Sequence, residues 1–221
     1  ADRFDVGDGQ IYLTEKEIRI DFQHADVWAP QSAANLQTSQ TDRVAAITHL
    51  LQDISVIDPA KGWLFLHNSN PDLPVELRNR ISGNTDRFRD GYRSKDLFAC
   101  LESAGHLLGL GGGLTPSGDD WLAGFVLYLA RFSSASTEPH SFLRELEQPL
   151  LDLATRKTTT ISVNRIAAAF RGFAEEPFLQ VSDTLFAGGS FPEGLAALLS
   201  HFGHSSGVDT TLGMSTAVAC E

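Results

Sequence analysis

The pattern Ser-Gly-x-Asp-x-x-x-Gly occurs twice in the chain, as Ser117 to Gly124 and as Ser206 to Gly213. Each copy follows an apolar helical pattern that ends in glycine (Leu107 to Gly109; Leu198 to Gly203) and leads into another (Trp121 to Leu129; Leu212 to Ala219). A unit of helix, glycine loop and helix used twice commits much of the chain to a helical body that must accommodate two similar loops.

The first copy sits in GLGGGLTPSGDDWLAG, where Gly109, Gly111, Gly112 and Gly113 precede Thr115 and Pro116. Glycine lets a backbone approach a ligand closely, and the first N–H groups of the following helix lack intrahelical partners. Such helix starts attract anions. Backbone N–H groups around Gly112, Gly113 and Gly118, with the hydroxyls of Thr115, Ser117, Ser205 and Ser206, would suit a phosphate, a carboxylate or a carbamoyl group. The acids Asp119, Asp120 and Asp209 admit two readings. They cap their helices, each worth about 1 kcal/mol, or they orient an amide or a catalytic hydroxyl, or hold a divalent metal. His204 lies between Gly203 and the two serines, placed either for proton transfer or as a helix C-cap, whereas His24, His49, His67, His106 and His140 stand singly. The dinucleotide fingerprint fails because Leu114 occupies its last glycine position, and no Lys follows the glycines as a P-loop requires.

The expected fold class is α+β, a single domain over 1–221 with a small β-containing part (1–80) and a mainly helical part (81–221) that carries both loops. Residues 10–22 read as a β-hairpin whose Ile18, Ile20 and Phe22 form a buried face, after a polar break at 14–17. Residues 41–53 read as a helix with Asp42 as cap and Val44, Ile47, Leu50 and Leu51 in one stripe. KGWLFLHN (61–68) reads as a buried strand, and 70–76 as turn chemistry. Residues 155–177 read as one helix, with Val163, Ile166, Ala167 and Phe170 buried, and 191–203 as a short helix started by Pro192.

Seventeen basic against twenty-eight acidic residues give a net charge of −11, which repels nucleic acid. Six of those cations, Arg78, Arg80, Arg87, Arg89, Arg93 and Lys95, cluster ahead of a strong helical pattern, and no Lys or Arg follows Arg171. A positive charge near the second loop must therefore come from elsewhere in the fold, with Arg156, Lys157 and Arg165 as candidates, or from backbone dipoles. Cys100 and Cys220 form no metal-binding or disulfide pattern. With neither a long apolar run nor a leader, the expectation is a cytoplasmic protein needing no cofactor and no metal, and making no membrane contact.

GLGGGLTPSGDDWLAG together with GHSSGVDTTLG (203–213) resembles the two signature segments of the AllH-like family, and TTTIS (158–162) is similar to a further family feature. The likeness covers roughly residues 105 to 215 and departs at Gly111-Gly112-Gly113, where family members commonly have Gly-Pro-Gly. The resemblance implies a subunit of oxamate carbamoyltransferase, acting with other polypeptides in allantoin-derived purine catabolism. That enzyme interconverts oxalurate plus phosphate with oxamate plus carbamoyl phosphate. In this picture Asp120, His204 and Asp209 are the catalytic candidates. Gly112, Gly113, Thr115, Ser117, Gly118, Asp119, Ser205, Ser206, Arg156 and Arg165 hold a small anionic substrate. Two other classes stay open: a non-catalytic assembly or regulatory subunit, and a metal-dependent hydrolase using the loop aspartates.

Overall fold

The computed structural model describes residues 4–7, 9–13, 17–26, 32–68, 73–136 and 141–221 of the 221-residue chain. The break at 14–16, the turn residues 70–72 and His140 lie outside them. The chain divides into two compact units, Ala1–Gln31 and Ser32–Glu221.

The first unit is an antiparallel sheet in the order β1 (Phe4–Gly7), β2 (Gln10–Leu13), β3 (Ile18–Asp21). The expected hairpin is β2 with β3, registered as Ile11 opposite Ile20 and Leu13 opposite Ile18. Its apolar residues are not buried: Ile18 is 47%, Ile20 42% and Phe22 46% exposed. Alternation reported the pleat correctly, but a pleat alone does not bring a second layer onto its apolar face.

The second unit is helical. In α1 (Gln40–Ile57) the cap is Ser39 rather than Asp42; Asp42 completes a capping box by accepting from the Ser39 backbone. Ile47, Leu50, Leu51 and Ile54 face inward, and Val44 is exposed. The cation-rich stretch forms α2 (Val75–Ser94), joined to α3 (Leu97–Leu107) through Lys95 at φ 58° and the Asp96 cap. Next come α4 (Ser117–Ala135), α5 (Ser141–Lys157), α6 (Thr160–Phe170), α7 (Glu176–Ala187), α8 (Leu195–His201) and α9 (Ser206–Val218). Helices thus begin at Gln40, well before the compositional shift near residue 80.

Two expected elements changed character. KGWLFLHN is a 3-10 turn at Leu64–Leu66, not a strand; periodicity cannot tell a short apolar run of one kind from the other. Residues 155–177 are three pieces, because the Thr159 hydroxyl caps α6 by accepting from Ser162 N–H and Gly172 takes φ 76° beyond α6. Within α6 the buried side is Ser162, Ile166 and Ala169, with Val163, Ala167 and Phe170 half-buried. The short helix before the second loop starts at Leu195, after Gly194, rather than at Pro192.

The core is built around α4, buried without interruption from Ser117 to Phe132, and α9, buried from Gly207 to Met214. A helix buried all round belongs at the centre of a helical body. Around it pack α9, α6, α7, α3 and α5, while α1, α8 and the 3-10 turn cover α9. Phe88, Trp121, Phe125, Tyr92 and Phe142 fill one side with mostly edge-to-face ring contacts at 5.1–5.7 Å. Cys100 and Cys220 are free thiols whose pKa burial raises to about 12. Among the described residues no helix is long and apolar enough to cross a membrane.

Candidate functional site

The glycines of the repeat first serve packing. A Cβ on Gly124 would overlap the Thr210 carbonyl of α9, and one on Gly213 would overlap the Trp121 carbonyl of α4. The last glycine of each copy therefore lets α4 and α9 cross with backbones in contact. The second position follows the same logic: a Cβ on Gly118 would meet the Leu107 carbonyl at the end of α3, and one on Gly207 the Leu199 carbonyl of α8. Both helices and their preceding loops thus obey one two-fold-like scheme.

This crossing leaves both N-termini on the same side, and the elbows touch. The Thr115 and Ser206 hydroxyls lie 3.1 Å apart, and those of Ser117 and Ser205 3.5 Å apart. Asp120 and Asp209, each the fourth residue of its helix, lean back toward these hydroxyls, since helical side chains tilt to the N-terminus. They are 1% and 0% exposed. Two positive helix ends face one small cluster of two carboxyls and four hydroxyls.

The acids do not cap their helices. The N-terminal amides are engaged elsewhere: Gly118 N–H donates to Leu110 O (3.0 Å) and Gly207 N–H to Phe202 O (3.1 Å). The Gly118 amide, one of the donors expected around the first loop, is thus engaged by the Leu110 carbonyl. Asp119 turns away from the cluster, accepting from Gly109 N–H (2.8 Å) and from the Thr158 hydroxyl, so it locks the glycine loop against the start of α6. Gly109 itself takes φ 76°, and a Cβ there would come within 2.7 Å of Lys157 O.

Asp120 and Asp209 are held differently. Arg165 of α6 donates to Asp120 Oδ1 and also pairs with Glu175, Nε to Oε1 at 3.2 Å. Asp209 Oδ1 accepts from the Trp63 main-chain N–H at 2.7 Å. The Oδ2 of each acid is sealed from solvent and has no hydrogen-bond partner. Burial raises the Asp120 pKa to about 6, against the Arg165 charge and the hydroxyls of Ser206 and Thr115, with Asp119 adding repulsion. Burial raises Asp209 to about 7, against the Trp63 amide and the hydroxyls of Ser117 and Ser205, with Asp120 adding repulsion. Near neutral pH each acid can donate a hydrogen bond when protonated and accept a proton when ionised.

Other sequence candidates lie apart from this cluster. Gly112 and Gly113 are on the exposed part of the first loop, where Gly112 has open space around it. His204 is exposed in the turn that leads to Ser205. Arg156 is exposed at the end of α5 and makes no ion pair among the described residues. Among the described residues no three His, Cys, Asp or Glu side chains gather in a way that could hold a metal ion. The residues that sequence reasoning missed are Gly62 and Trp63, which meet Asp209, and Thr158, Thr159 and Ser162, which fasten the first loop through Asp119 and the Leu114 carbonyl. Only the TTTIS stretch carried a signal for the latter group.

Comparison with known proteins agrees with where these elements lie. The family model described as oxamate carbamoyltransferase subunit AllH matches residues 107–218, from the last residue of α3 to the last residue of α9. No solved structure matches the chain.

Proposed function

Since the chain belongs to the AllH family, a family described as oxamate carbamoyltransferase subunit, we propose that it is a carbamoyltransferase subunit whose two elbows hold a small oxygen-rich carbamoyl or phosphate compound. One observation carries this reading: two buried carboxyls, each with an unpartnered oxygen, meet four hydroxyls where two helix N-termini converge. Helix ends favour the anionic part of the compound, and hydroxyl and protonated carboxyl donors suit its neutral oxygens. Arg165, next to Asp120, keeps the cluster from becoming too negative to admit an anion.

The reaction named for this family asks little covalent chemistry of the protein. A phosphate oxygen attacks the terminal carbamoyl carbon of oxalurate, the bond from that carbon to the shared nitrogen breaks, and oxamate leaves as carbamoyl phosphate forms. One proton passes from phosphate to the departing nitrogen. Asp120 and Asp209, poised between their two protonation states near neutral pH, orient the amide and relay that proton in this reading. Positioning and donors aimed at the developing oxyanion supply the rest. The protein works in the cytoplasm beside its partner subunits.

Carbamoyl phosphate is expected to raise the melting temperature of the chain, alone or with its partner subunits, and Asp120→Asn or Thr115→Ala to abolish the rise while the circular dichroism spectrum is retained. No rise in either setting discards the reading. The hydroxyl pairs that already join the elbows favour one alternative, a non-catalytic assembly subunit. It predicts that Asp120→Asn leaves the activity of the reconstituted enzyme untouched.

A further inference from the structure

Trp63 lies outside the segment that the family model matches, yet it touches both elbows. Its ring packs on the first: a Cβ on Gly118 would come within 3.1 Å of Trp63 Cη2. Its main-chain N–H holds the second, donating to Asp209 Oδ1 at 2.7 Å in a fully buried contact. The residue before it explains how that contact is possible. Gly62 takes φ 55°, and a Cβ there would overlap Asp209 Oδ1 and stand 2.9 Å from its Cγ and Oδ2. The backbone at 62 and 63 is thus moulded to a carboxylate supplied by a residue far along the chain. Asp209 is consequently asymmetric, with one oxygen tied to a rigid amide and the other without a partner.

We propose that the Gly62–Trp63 turn is a positioning element of the candidate site, which withdraws Oδ1 of Asp209 from exchange and leaves Oδ2 as the atom that meets the ligand. The inference rests on the functional reading above for the word ligand, and on geometry alone for the rest. An amide N–H can only donate, so the oxygen it holds keeps its lone pair engaged in both protonation states and the proton resides on Oδ2. A protonated Oδ2 donates to a phosphoryl or carbonyl oxygen, and an ionised one accepts from an amide N–H. Of the charged groups around this carboxyl, Asp120 faces it from α4, with Arg165 and Glu175 behind Asp120; Asp119 is turned to Gly109 and Thr158. The Trp63 amide should therefore report the ionisation of Asp209 more directly than any other backbone group.

The test is a series of amide nitrogen–proton correlation spectra of the whole chain, recorded from acid to mildly alkaline pH. The Trp63 amide is expected to shift with a midpoint above pH ~5, outside the ordinary aspartate range, and Asp209→Asn to abolish that shift. A Trp63 amide that does not titrate, or that titrates identically in Asp209→Asn, overturns the proposal. In Gly62→Ala the added methyl displaces the carboxyl, so the Trp63 titration is expected to disappear and carbamoyl phosphate to bind at least about tenfold more weakly, a loss of ~1.4 kcal/mol. Wild-type affinity in that variant also overturns it. Should Gly62→Ala fail to fold, the wild-type and Asp209→Asn spectra decide. If Trp63 titrates as expected but carbamoyl phosphate binds neither alone nor with partner subunits, the functional reading fails and the positioning stands.

Discussion

Asp209, together with Asp120, ties stability to pH because nothing around either carboxyl fully compensates its charge. The Asp209 pKa in the folded chain is about 7, against 3.8 for the ordinary side chain, so the folded state binds the proton more tightly than the unfolded one. The sign follows. Below pH ~4 the acid is protonated in both states and costs nothing; between ~4 and ~7 the cost of burying the charge grows; above ~7 it is complete, on the order of 4 kcal/mol. His67 opposes this trend, since burial lowers its pKa and acid destabilises the chain through it. The comparison must therefore be a difference. Urea unfolding of Asp209→Asn minus wild type is expected to show the variant gaining relative stability as pH rises from about 4 to about 7. A flat difference would mean that Asp209 is ionised throughout.

At the scale of elements, the crossing of α4 and α9 is decided by two missing methyl groups. Helix propensity alone favours Ala over Gly by about 1 kcal/mol. Gly124→Ala is nonetheless expected to destabilise, because the Cβ meets the Thr210 carbonyl, a backbone atom that cannot rotate away. Overpacking of this kind costs about 1–3 kcal/mol. Gly112→Ala, in open space on the loop, is expected to change stability by less than about 1 kcal/mol. Thermal or urea denaturation of the pair separates the packing glycines from the loop glycines, and equal effects would refute the distinction. The repeat itself was legible in the sequence because equal spacing of Ser, Gly, Asp and Gly is visible without any contact. Its purpose was not. Glycine beside a polar loop suggested ligand approach, whereas Gly118, Gly124, Gly207 and Gly213 serve helix-to-helix contact. The break of 155–177 was hidden because a threonine cap interrupts the backbone without interrupting apolar periodicity. Trp63 could not be found at all, since its partner lies 146 residues away.

Across the whole molecule, the helical unit is closed by a buried ion pair that joins its first helix to the segment after α9. Arg43 and Glu221, 4% and 3% exposed at their side chains, are joined by the Tyr128 hydroxyl of α4, and Gln40 donates to the carbonyls of Val218 and Glu221. Arg43→Met leaves the Glu221 carboxylate buried without its cation, a change expected to cost about 3–5 kcal/mol, while Arg43→Met with Glu221→Leu is expected to recover most of it. Equilibrium unfolding of the single and double variants checks this, and equal losses would show that packing rather than charge matters there.

The interlocking of the elbows also bears on ancestry. Each acid looks to one hydroxyl from its own loop and one from the other, Thr115 and Ser206 for Asp120, Ser205 and Ser117 for Asp209. Neither elbow completes its acid's pair of hydroxyls by itself. A duplication that produced this arrangement would have begun with two copies of one polypeptide clasping each other, and mutations in one loop should be tolerated chiefly when matched in its twin.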